Sequence, residues 1–272
     1  MPFWWIVSCF ALLSILPPEL MAQSPETASK TQGGEPDQES GWNLSRLDTA
    51  RTIAYLSDLE KQVVLELNKV RSDPGRYARS FLIPQRKYYA GQELIYPGEI
   101  AIRTREGIHA FEECTQVLGK TKPMGILTPQ AGLARAARDH VLDQSKTGQT
   151  GHEGRDHSNV SGRANRYGRW NGKIGENIQY GHAAAARIVS SLLIDDGVPS
   201  RGHRKIILEP LFRNAGVAFG PHPKFRNMCV IVFAAEYADG GAKNSPQALR
   251  KTCRPISSSF HGGLIHPCPS RL

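Results

Sequence analysis

The chain of 272 residues is long enough to bury one sizeable core but too short for two large domains. Its 34 Lys and Arg residues against 25 acids give a formal net charge of +9. The basic residues are scattered and are not interleaved with aromatic side chains, which argues against a surface for nucleic acid. We interpret the charge as a source of solubility and weak nonspecific adhesion.

The start of the chain is typical of a secretory signal peptide. The apolar run from Phe3 to Leu16 is too short to span a bilayer, and Pro17 and Pro18 end it. No Lys or Arg precedes the run, but residues 20–22 suit cleavage. We predict a signal peptide at residues 1–22 and therefore a secreted, extracellular protein. The alternative is a short membrane anchor or a buried segment; no later stretch is apolar enough to span a membrane.

The mature chain is predicted to contain one folded domain between two polar segments. Residues 23–51 are rich in Ser, Gly, Glu and Gln without a hydrophobic period, which predicts a disordered linker. The folded domain is expected over residues 52–238. Residues 239–272 form a Gly-, Ser- and Pro-rich tail that we expect to be tethered by a disulfide.

Removal of the signal peptide takes Cys9 with it and leaves an even number of cysteines, which suggests disulfides in an exported chain. Four cysteines allow three connectivities. The simplest pairs Cys114 with Cys229 in the core and Cys253 with Cys268 in the tail. The alternative is buried free thiols, and no C-x-x-C pair indicates a zinc site.

Apolar residues spaced three and four apart predict the early helices. Leu56 to Val70 is amphipathic and ends at Pro74, and Ile108 to Leu118 forms a second helix. The segment between them, from Phe81 to Glu99, has no period and is predicted to run extended over the surface. A third helix is expected to be capped by Thr128, with the following proline at its first position.

The second half of the domain is predicted to hold a loop, two helices and two strands. The glycine-rich stretch from Thr147 to Gly175 is expected to be a long structured loop. Ala183 to Ile194 is predicted to be helical, and a short helix follows His203. Strands are expected at residues 215–219 and 228–237, the second apolar on both alternations as for a central strand. Helices on both faces of a small sheet give an α+β, three-layer α-β-α sandwich.

Common catalytic motifs are missing from the sequence. His152 and His157 are five apart in a glycine-containing loop, whereas the zinc-protease motif needs two histidines four apart on one helix. Neither a G-x-S-x-G nucleophile turn nor a phosphate-binding Gly-Lys-Ser/Thr loop is present.

An ordered set of short motifs nevertheless resembles the CAP superfamily of cysteine-rich secretory, antigen-5 and pathogenesis-related proteins, which share the SCP domain, in its bacterial-type form. The resemblance covers roughly Tyr55 to Tyr237. The motifs, in chain order, are Leu67–Arg71, Leu133–His140, Thr150-Gly151-His152, Arg163, Gly168, Gly175-Glu176-Asn177-Ile178, Leu192–Gly197 and Arg201-Gly202-His203-Arg204.

The resemblance implies an α-β-α sandwich with a cleft of two histidines and two acids that can hold zinc or another divalent cation. His152 matches the first histidine, Glu176 the first acid and His203 the second histidine. The family's tryptophan-x-x-glutamate is absent, and Asp195 or Asp196 takes the place of the second acid.

Each of these residues also has a structural interpretation, as a loop histidine, a turn acid or a helix-start residue. His157 is the rival for the first histidine. The spacing from His152 to Arg163, Gly168 and Glu176 fits the family pattern better.

Two functions follow from the resemblance. The first is a non-enzymatic extracellular binding or interaction module, with lipid or sterol, a cell-wall polymer or a protein as its partner and no nucleic acid. The second is a metal-assisted, peptidase-like hydrolase in which Glu176 is the catalytic base. A purely structural role in surface adhesion rests only on the charge and the polar leader.

The N-terminal pattern generates the first testable prediction. In its native host the chain should be cleaved after Ala22, because the apolar run is too short to remain as a bilayer-spanning helix. N-terminal sequencing of the isolated protein should begin at Gln23. Recovery of intact Met1 would contradict the prediction.

Overall fold

A computed structural model describes residues 41–240 of the chain. The predicted signal peptide, most of the predicted linker and the predicted tail pair of Cys253 and Cys268 lie outside the described residues. No helix in residues 41–240 is both long and apolar enough to cross a membrane. Within the described range the α-helices are α1 Leu44–Leu47, α2 Asp58–Ser72, α3 Pro74–Tyr77, α4 Ile108–Lys120, α5 Ala131–Thr147, α6 Val160–Asn165, α7 Ala185–Ile194 and α8 Gly202–Ile207.

The folded part begins before the predicted boundary at residue 52. Asn43 accepts a hydrogen bond from the backbone N–H of Arg46 and caps α1. Trp42 and Leu47 are buried in the core although they belong to the predicted linker. Their apolar side chains order this short segment because they bury surface against the helices that follow.

Helix α2 forms where the hydrophobic period predicts it. Ser57 and Glu60 make a capping box, with the Ser57 side chain on the Glu60 N–H and the Glu60 carboxylate on the Ser57 N–H. Val63, Leu67 and Val70 are fully buried on one face of the helix. Helix α3 follows, and the segment from Phe81 to Glu99, predicted to be extended, instead contains the end of a π-helical turn and a 3₁₀ turn. These turns lead into a small antiparallel sheet of β1 Tyr89–Ala90, β2 Glu93–Leu94 and β3 Ile102–Arg103.

The main sheet has four strands in the order β4–β6–β7–β5. Strand β4 is parallel to β6, and the other pairs are antiparallel. These strands are β4 Thr128–Pro129, β5 Gly168–Tyr180, β6 Asn214–His222 and β7 Arg226–Asp239. Strand β7 has neighbours on both sides and is buried on both faces from Met228 to Ala234, which confirms the prediction of a central strand.

Two local predictions were wrong. Thr128 and Pro129 form strand β4 rather than the cap of a helix, because the Thr128 N–H bonds to the Arg213 carbonyl beside β6. The stretch from Thr147 to Gly175 is a loop only as far as Asn159, whose side chain caps α6; strand β5 then begins at Gly168. Pairing with β7 makes β5 a strand despite its glycines, with a bulge between Asn171 and Ile174.

Helices cover both faces of this sheet, so the fold is the predicted α-β-α sandwich. One core cluster joins α2, α4 and α7 to one face of the sheet, including Val217, Ile231 and Phe233. The other cluster joins α5 and α6 to the opposite face, including Val230 and Val232. Helix α5 lies close against β6 at Gly216, where any side chain would collide with backbone atoms of residues 133 and 134.

A buried arginine on α2 joins several segments on the α2 side of the sheet. Arg71 is fully buried and donates hydrogen bonds to the carbonyl oxygens of Gly125, Ile207, Glu209 and Phe212. Burial lowers the pKa of its guanidinium to about 10, so the group stays charged at neutral pH. The side chain therefore fixes the end of α8 and the entry to β6 relative to α2.

The predicted disulfide between Cys114 and Cys229 was wrong, because both residues are buried free thiols. Cys114 lies on α4 and Cys229 on β7, and both pack in the same apolar cluster. Burial raises the pKa of the Cys114 thiol to about 12 and raises that of Cys229 further. Each thiol therefore acts as a small apolar side chain in the core.

This placement predicts the labelling behaviour of the mature chain after Cys253 and Cys268 are both replaced by Ser. Alkylation under native conditions should label neither remaining cysteine, because both are inaccessible and protonated. Alkylation in denaturant without reductant should label both, as measured by intact mass. A chain that takes no label in denaturant would show that the two core thiols are joined.

Candidate functional site

Strand β5 carries the centre of the candidate site. It pairs only with β7 among the described strands, so it forms an edge of the sheet. Glu176 lies opposite Val232 and Asn177 opposite Ile231. Because successive side chains of a strand point to opposite faces, Glu176 faces the α5 and α6 layer, whereas Asn177 faces the layer of α7 and α8.

The first pair of the site joins the loop after α5 to this strand. The Glu176 carboxylate is buried, and its Oε1 lies 2.9 Å from Nδ1 of His152. Its Oε2 accepts a hydrogen bond of 2.7 Å from Nη2 of Arg163, on α6. Arg163 also donates to the carbonyl oxygens of His152 and Ser158, so one guanidinium holds both the loop and the acid.

Glu176 remains ionised in this environment. Burial alone would raise the pKa of its carboxyl group, but the hydrogen bond with His152 and the charge of Arg163 outweigh burial. The pKa of Glu176 is therefore lowered from its ordinary value of 4.5. Both carboxylate oxygens are engaged by neighbouring side chains.

The backbone next to His152 is held by a second network. The Gly151 N–H donates to the Tyr180 hydroxyl at 3.0 Å, and its carbonyl accepts from Nε2 of Gln144 at 2.7 Å. His140 Nε2 lies 2.8 Å from the same carbonyl, and the Tyr180 hydroxyl donates to Oε1 of Gln144. Both polar backbone groups of Gly151 are thereby satisfied, which fixes the position of the next residue in a loop without regular structure.

The second pair lies between α7 and α8. Asp195 ends α7 in the left-handed conformation, with φ of 57°, and its side chain is buried. Its Oδ1 lies 2.6 Å from Nδ1 of His203, and its Oδ2 accepts the backbone N–H of His203 at 2.9 Å. One carboxylate thus fixes both the ring and the backbone of this histidine.

The two aspartates that the sequence left as alternatives lie in different places. The Asp196 carboxylate accepts the backbone N–H groups of Arg105 and Glu106 at 2.7 and 2.8 Å, just before α4. It thereby joins the end of α7 to the start of α4. Asp195 is the residue of the two that contacts His203.

The two His–acid pairs approach β5 from opposite faces. Asn177, the residue after Glu176, donates from its side chain to the His203 carbonyl at 3.0 Å and so joins the second pair to the strand. Within residues 41–240, no three His, Cys, Asp or Glu side chains form a group that could hold a metal ion. Convergence of His152, Glu176 and His203 on one ion remains a prediction.

His157, the rival for the first histidine, lies outside this arrangement. Its side chain is 87% exposed, and its Nδ1 lies 2.6 Å from the exposed carboxylate of Glu153. Its exposure and its loop position make it a matched control for His152.

Arginines flanking His203 are the site residues that sequence reasoning did not assign. Arg201 forms ion pairs of 2.6 Å with Glu106, which precedes α4, and with Glu113, which lies on α4. Arg204 is buried and donates to Glu113 and to the carbonyl oxygens at the end of α7. In the sequence, only their place in the Arg-Gly-His-Arg motif indicates a role for these two arginines, because the sequence around an arginine does not show whether the side chain is buried.

These observations define a class of protein: an α-β-α sandwich with a His–acid pair on each side of its edge strand. Residues 66–237 match the profile of the cysteine-rich secretory protein family, CAP. The chain belongs to this family.

Solved structures give weaker similarities. An outer surface protein of Borrelia burgdorferi is 15% identical, with a TM-score of 0.35, over 41% of this chain and 78% of that one. An extracellular protein with an SCP domain from Bacillus anthracis is 22% identical, with a TM-score of 0.35, over 42% of this chain. The chain spans 35% of that second protein's length. The comparison with curated proteins gave no match.

The ionised, buried Glu176 generates a prediction about stability and pH. Glu176→Gln should lower the free energy of unfolding at neutral pH by about 3 kcal/mol, because it leaves the buried Arg163 without its counter-charge. The folded pKa is lowered, so this contribution is present above pH 4.5 and is lost as the pH falls through the folded value. Chemical denaturation should show that the difference in free energy of unfolding between Glu176→Gln and the wild type becomes smaller as the pH falls below 4.5.

Glu153→Gln is the matched control for this experiment. It makes the same substitution in the exposed pair with His157, where solvent screens the interaction. Its stability should follow that of the wild-type protein at every pH. An equal loss in both variants, or a Glu176→Gln deficit that does not depend on pH, would refute the assignment.

Proposed function

We propose that this chain is exported and acts outside the cell as a non-enzymatic binding module of the CAP family. The N-terminal apolar run and the family's secretory character support export. The observation that carries the proposal is the pairing of each histidine with a buried carboxylate, His152 with Glu176 and His203 with Asp195. Such pairs present two oriented rings at the surface of a rigid sandwich.

Each pair by itself has the chemistry of a metal-binding histidine held by a carboxylate, and the proposal is that the two pairs share one divalent cation. Each histidine uses Nδ1 on its carboxylate, and in the described part of the chain neither Nε2 has a hydrogen-bond partner. Histidine ligands of metals commonly have their second ring nitrogen held by a carboxylate, which fixes the tautomer and the direction of the free nitrogen. In this arrangement His152 and His203 would be the ligands, and Glu176 and Asp195 would orient them.

A bound zinc ion or a similar cation would supply a positive centre for carboxylate, phosphate or carbonyl groups of a partner. The rest of the binding would fall to the exposed residues around the edge of β5. The partner classes proposed are a protein, a lipid or sterol, and a cell-wall polymer, because a CAP fold by itself does not fix the ligand.

The hydrolase alternative receives less support from the geometry. A general base must lie within hydrogen-bond reach of the substrate and needs a pKa near the working pH. The Glu176 carboxylate is instead buried between His152 and Arg163, and the pKa of its carboxyl group is lowered. The contact of the same carboxylate with Nδ1 of His152 suits a group that orients this histidine.

The proposal predicts zinc binding that depends on both histidines. His152→Ala and His203→Ala should each weaken zinc affinity by more than about tenfold, because each removes an imidazole ligand. Calorimetric titration of the mature protein with zinc measures the change, and circular dichroism shows that the fold is kept. Affinity should also fall on acidification, since a protonated imidazole cannot bind a metal.

His157→Ala is the control, because it removes an exposed loop histidine five residues from His152. Its zinc affinity should equal that of the wild type. Absence of zinc binding to the wild-type protein would remove the metal from the proposal, and equal losses in all three variants would indicate nonspecific surface binding.

A further inference from the structure

The turn that joins α7 to α8 carries the second His–acid pair. It runs from Asp195 to Arg201, and His203 follows in the first turn of α8. Both end residues of the turn have a positive φ, 57° at Asp195 and 51° at Arg201. This backbone conformation is unfavourable for a residue that carries a side chain, so contacts from other groups must maintain the turn.

The Arg201 side chain supplies such contacts inside the turn. It is 11% exposed, and its Nη1 donates to the carbonyl oxygens of Asp195 at 2.9 Å and of Val198 at 3.2 Å. The same two carbonyls accept the backbone N–H groups of Val198 and Arg201, at 3.2 and 2.9 Å. One guanidinium therefore closes the turn between the two members of the His–acid pair.

The same guanidinium anchors the turn to the start of α4. Nη1 and Nη2 of Arg201 each donate to one oxygen of Glu106 at 2.6 Å. Nε and Nη2 also donate to Oε2 of Glu113, at 2.9 and 2.6 Å. Glu106 in turn accepts the backbone N–H of Gly197 at 2.7 Å, inside the turn. A two-point contact between guanidinium and carboxylate fixes direction as well as distance.

Arg204 holds a different segment. Its side chain donates to the carbonyl oxygens of Leu193 and Ile194, which belong to α7 before the turn begins. Arg204 therefore fixes where the helix ends. The path of the chain from Asp195 towards His203 depends instead on Arg201.

We propose that Arg201 is a positioning residue for His203. Through Glu106 it holds the turn in the conformation in which the Asp195 carboxylate meets both Nδ1 and the backbone N–H of His203. Its own hydrogen bonds go to residues 106, 113, 195 and 198, so it acts on the His203 ring through Asp195. The effect on metal binding rests on the proposed function, whereas the effect on the geometry of the pair does not.

Arg201→Lys separates geometry from charge. Lysine keeps the positive charge, but its single nitrogen cannot contact both oxygens of Glu106 and the two carbonyls of the turn at once. A role that needed only charge would survive this substitution. Glu106→Gln is the second variant, because it weakens the anchor on α4 without changing Arg201 or the turn.

The first measurement is the proton position on the His203 ring in the mature protein with EDTA, at a pH at which the histidines are neutral. The ¹⁵N shifts of the ring report which nitrogen carries the proton. In the wild type the proton should lie on Nδ1, since this atom is 2.6 Å from the Asp195 carboxylate. Both variants should move protons towards Nε2 of His203 and leave the ring of His152 unchanged.

Zinc titration of the same variants measures the consequence for binding. Arg201→Lys and Glu106→Gln should each lower zinc affinity by about tenfold, the lower end of what loss of a group that supports a histidine ligand costs. If the wild type binds no zinc, the proposed function loses its metal, and the ring shifts still decide the role of Arg201. A change of the His203 ring without loss of zinc affinity would overturn the link to binding.

Arg187→Lys is the matched control. Arg187 lies on α7 and pairs with Glu99 at 3.2 Å, outside the turn, so its variant should match the wild type in both measurements. Circular dichroism shows whether each variant keeps the fold. Three outcomes would overturn the proposal: an unchanged His203 ring in Arg201→Lys; the same change in Arg187→Lys; or an unfolded Arg201→Lys together with an unchanged His203 ring in Glu106→Gln.

Discussion

A guanidinium that is removed from water must find an acceptor in the protein, and this requirement organises the domain. Arg163 is buried and joins the loop after α5 to Glu176, and Arg71 joins α2 to the end of α8. Arg204 ties the start of α8 to the end of α7. Each of these cations binds backbone carbonyl oxygens of loops or of helix ends, which regular structure leaves without a partner. The segments that carry His152 and His203 have little regular structure, so their positions depend on these arginines.

The parts of the fold that could be predicted from sequence are those where local pattern and tertiary packing agree. Helix α2 has an apolar stripe and a capping box, and β7 is apolar on both alternations because it lies between two layers. Strand β5 could not be predicted, since Gly168, Gly172 and Gly175 suppress any strand signal. Close packing against Tyr237 and Phe212 favours glycine at positions 168 and 175, and a positive φ of 77° favours glycine at position 172. Neither constraint, nor the pairing with β7, is visible in a window of sequence.

The candidate site was predictable to a similar degree. Resemblance selected His152, Glu176 and His203, and each of the three contacts another predicted site residue or its neighbour. The choice between Asp195 and Asp196 depends on the left-handed backbone at Asp195, which turns successive carboxylates towards His203 and towards α4. The wrong pairing of Cys114 with Cys229 has a related origin, because an even count of cysteines gives no information about which thiols the core buries.

The position of β5 at the edge of the sheet has a consequence for the behaviour of the protein at high concentration. An unpaired strand edge is a template on which another chain can add a strand. In β5 the first half of this edge is interrupted by the bulge between Asn171 and Ile174, and Lys173 places an exposed charge there. A bulge and a lysine are two devices by which natural sheets discourage such addition. The irregularity that hid this strand from sequence analysis also protects it from intermolecular sheet formation.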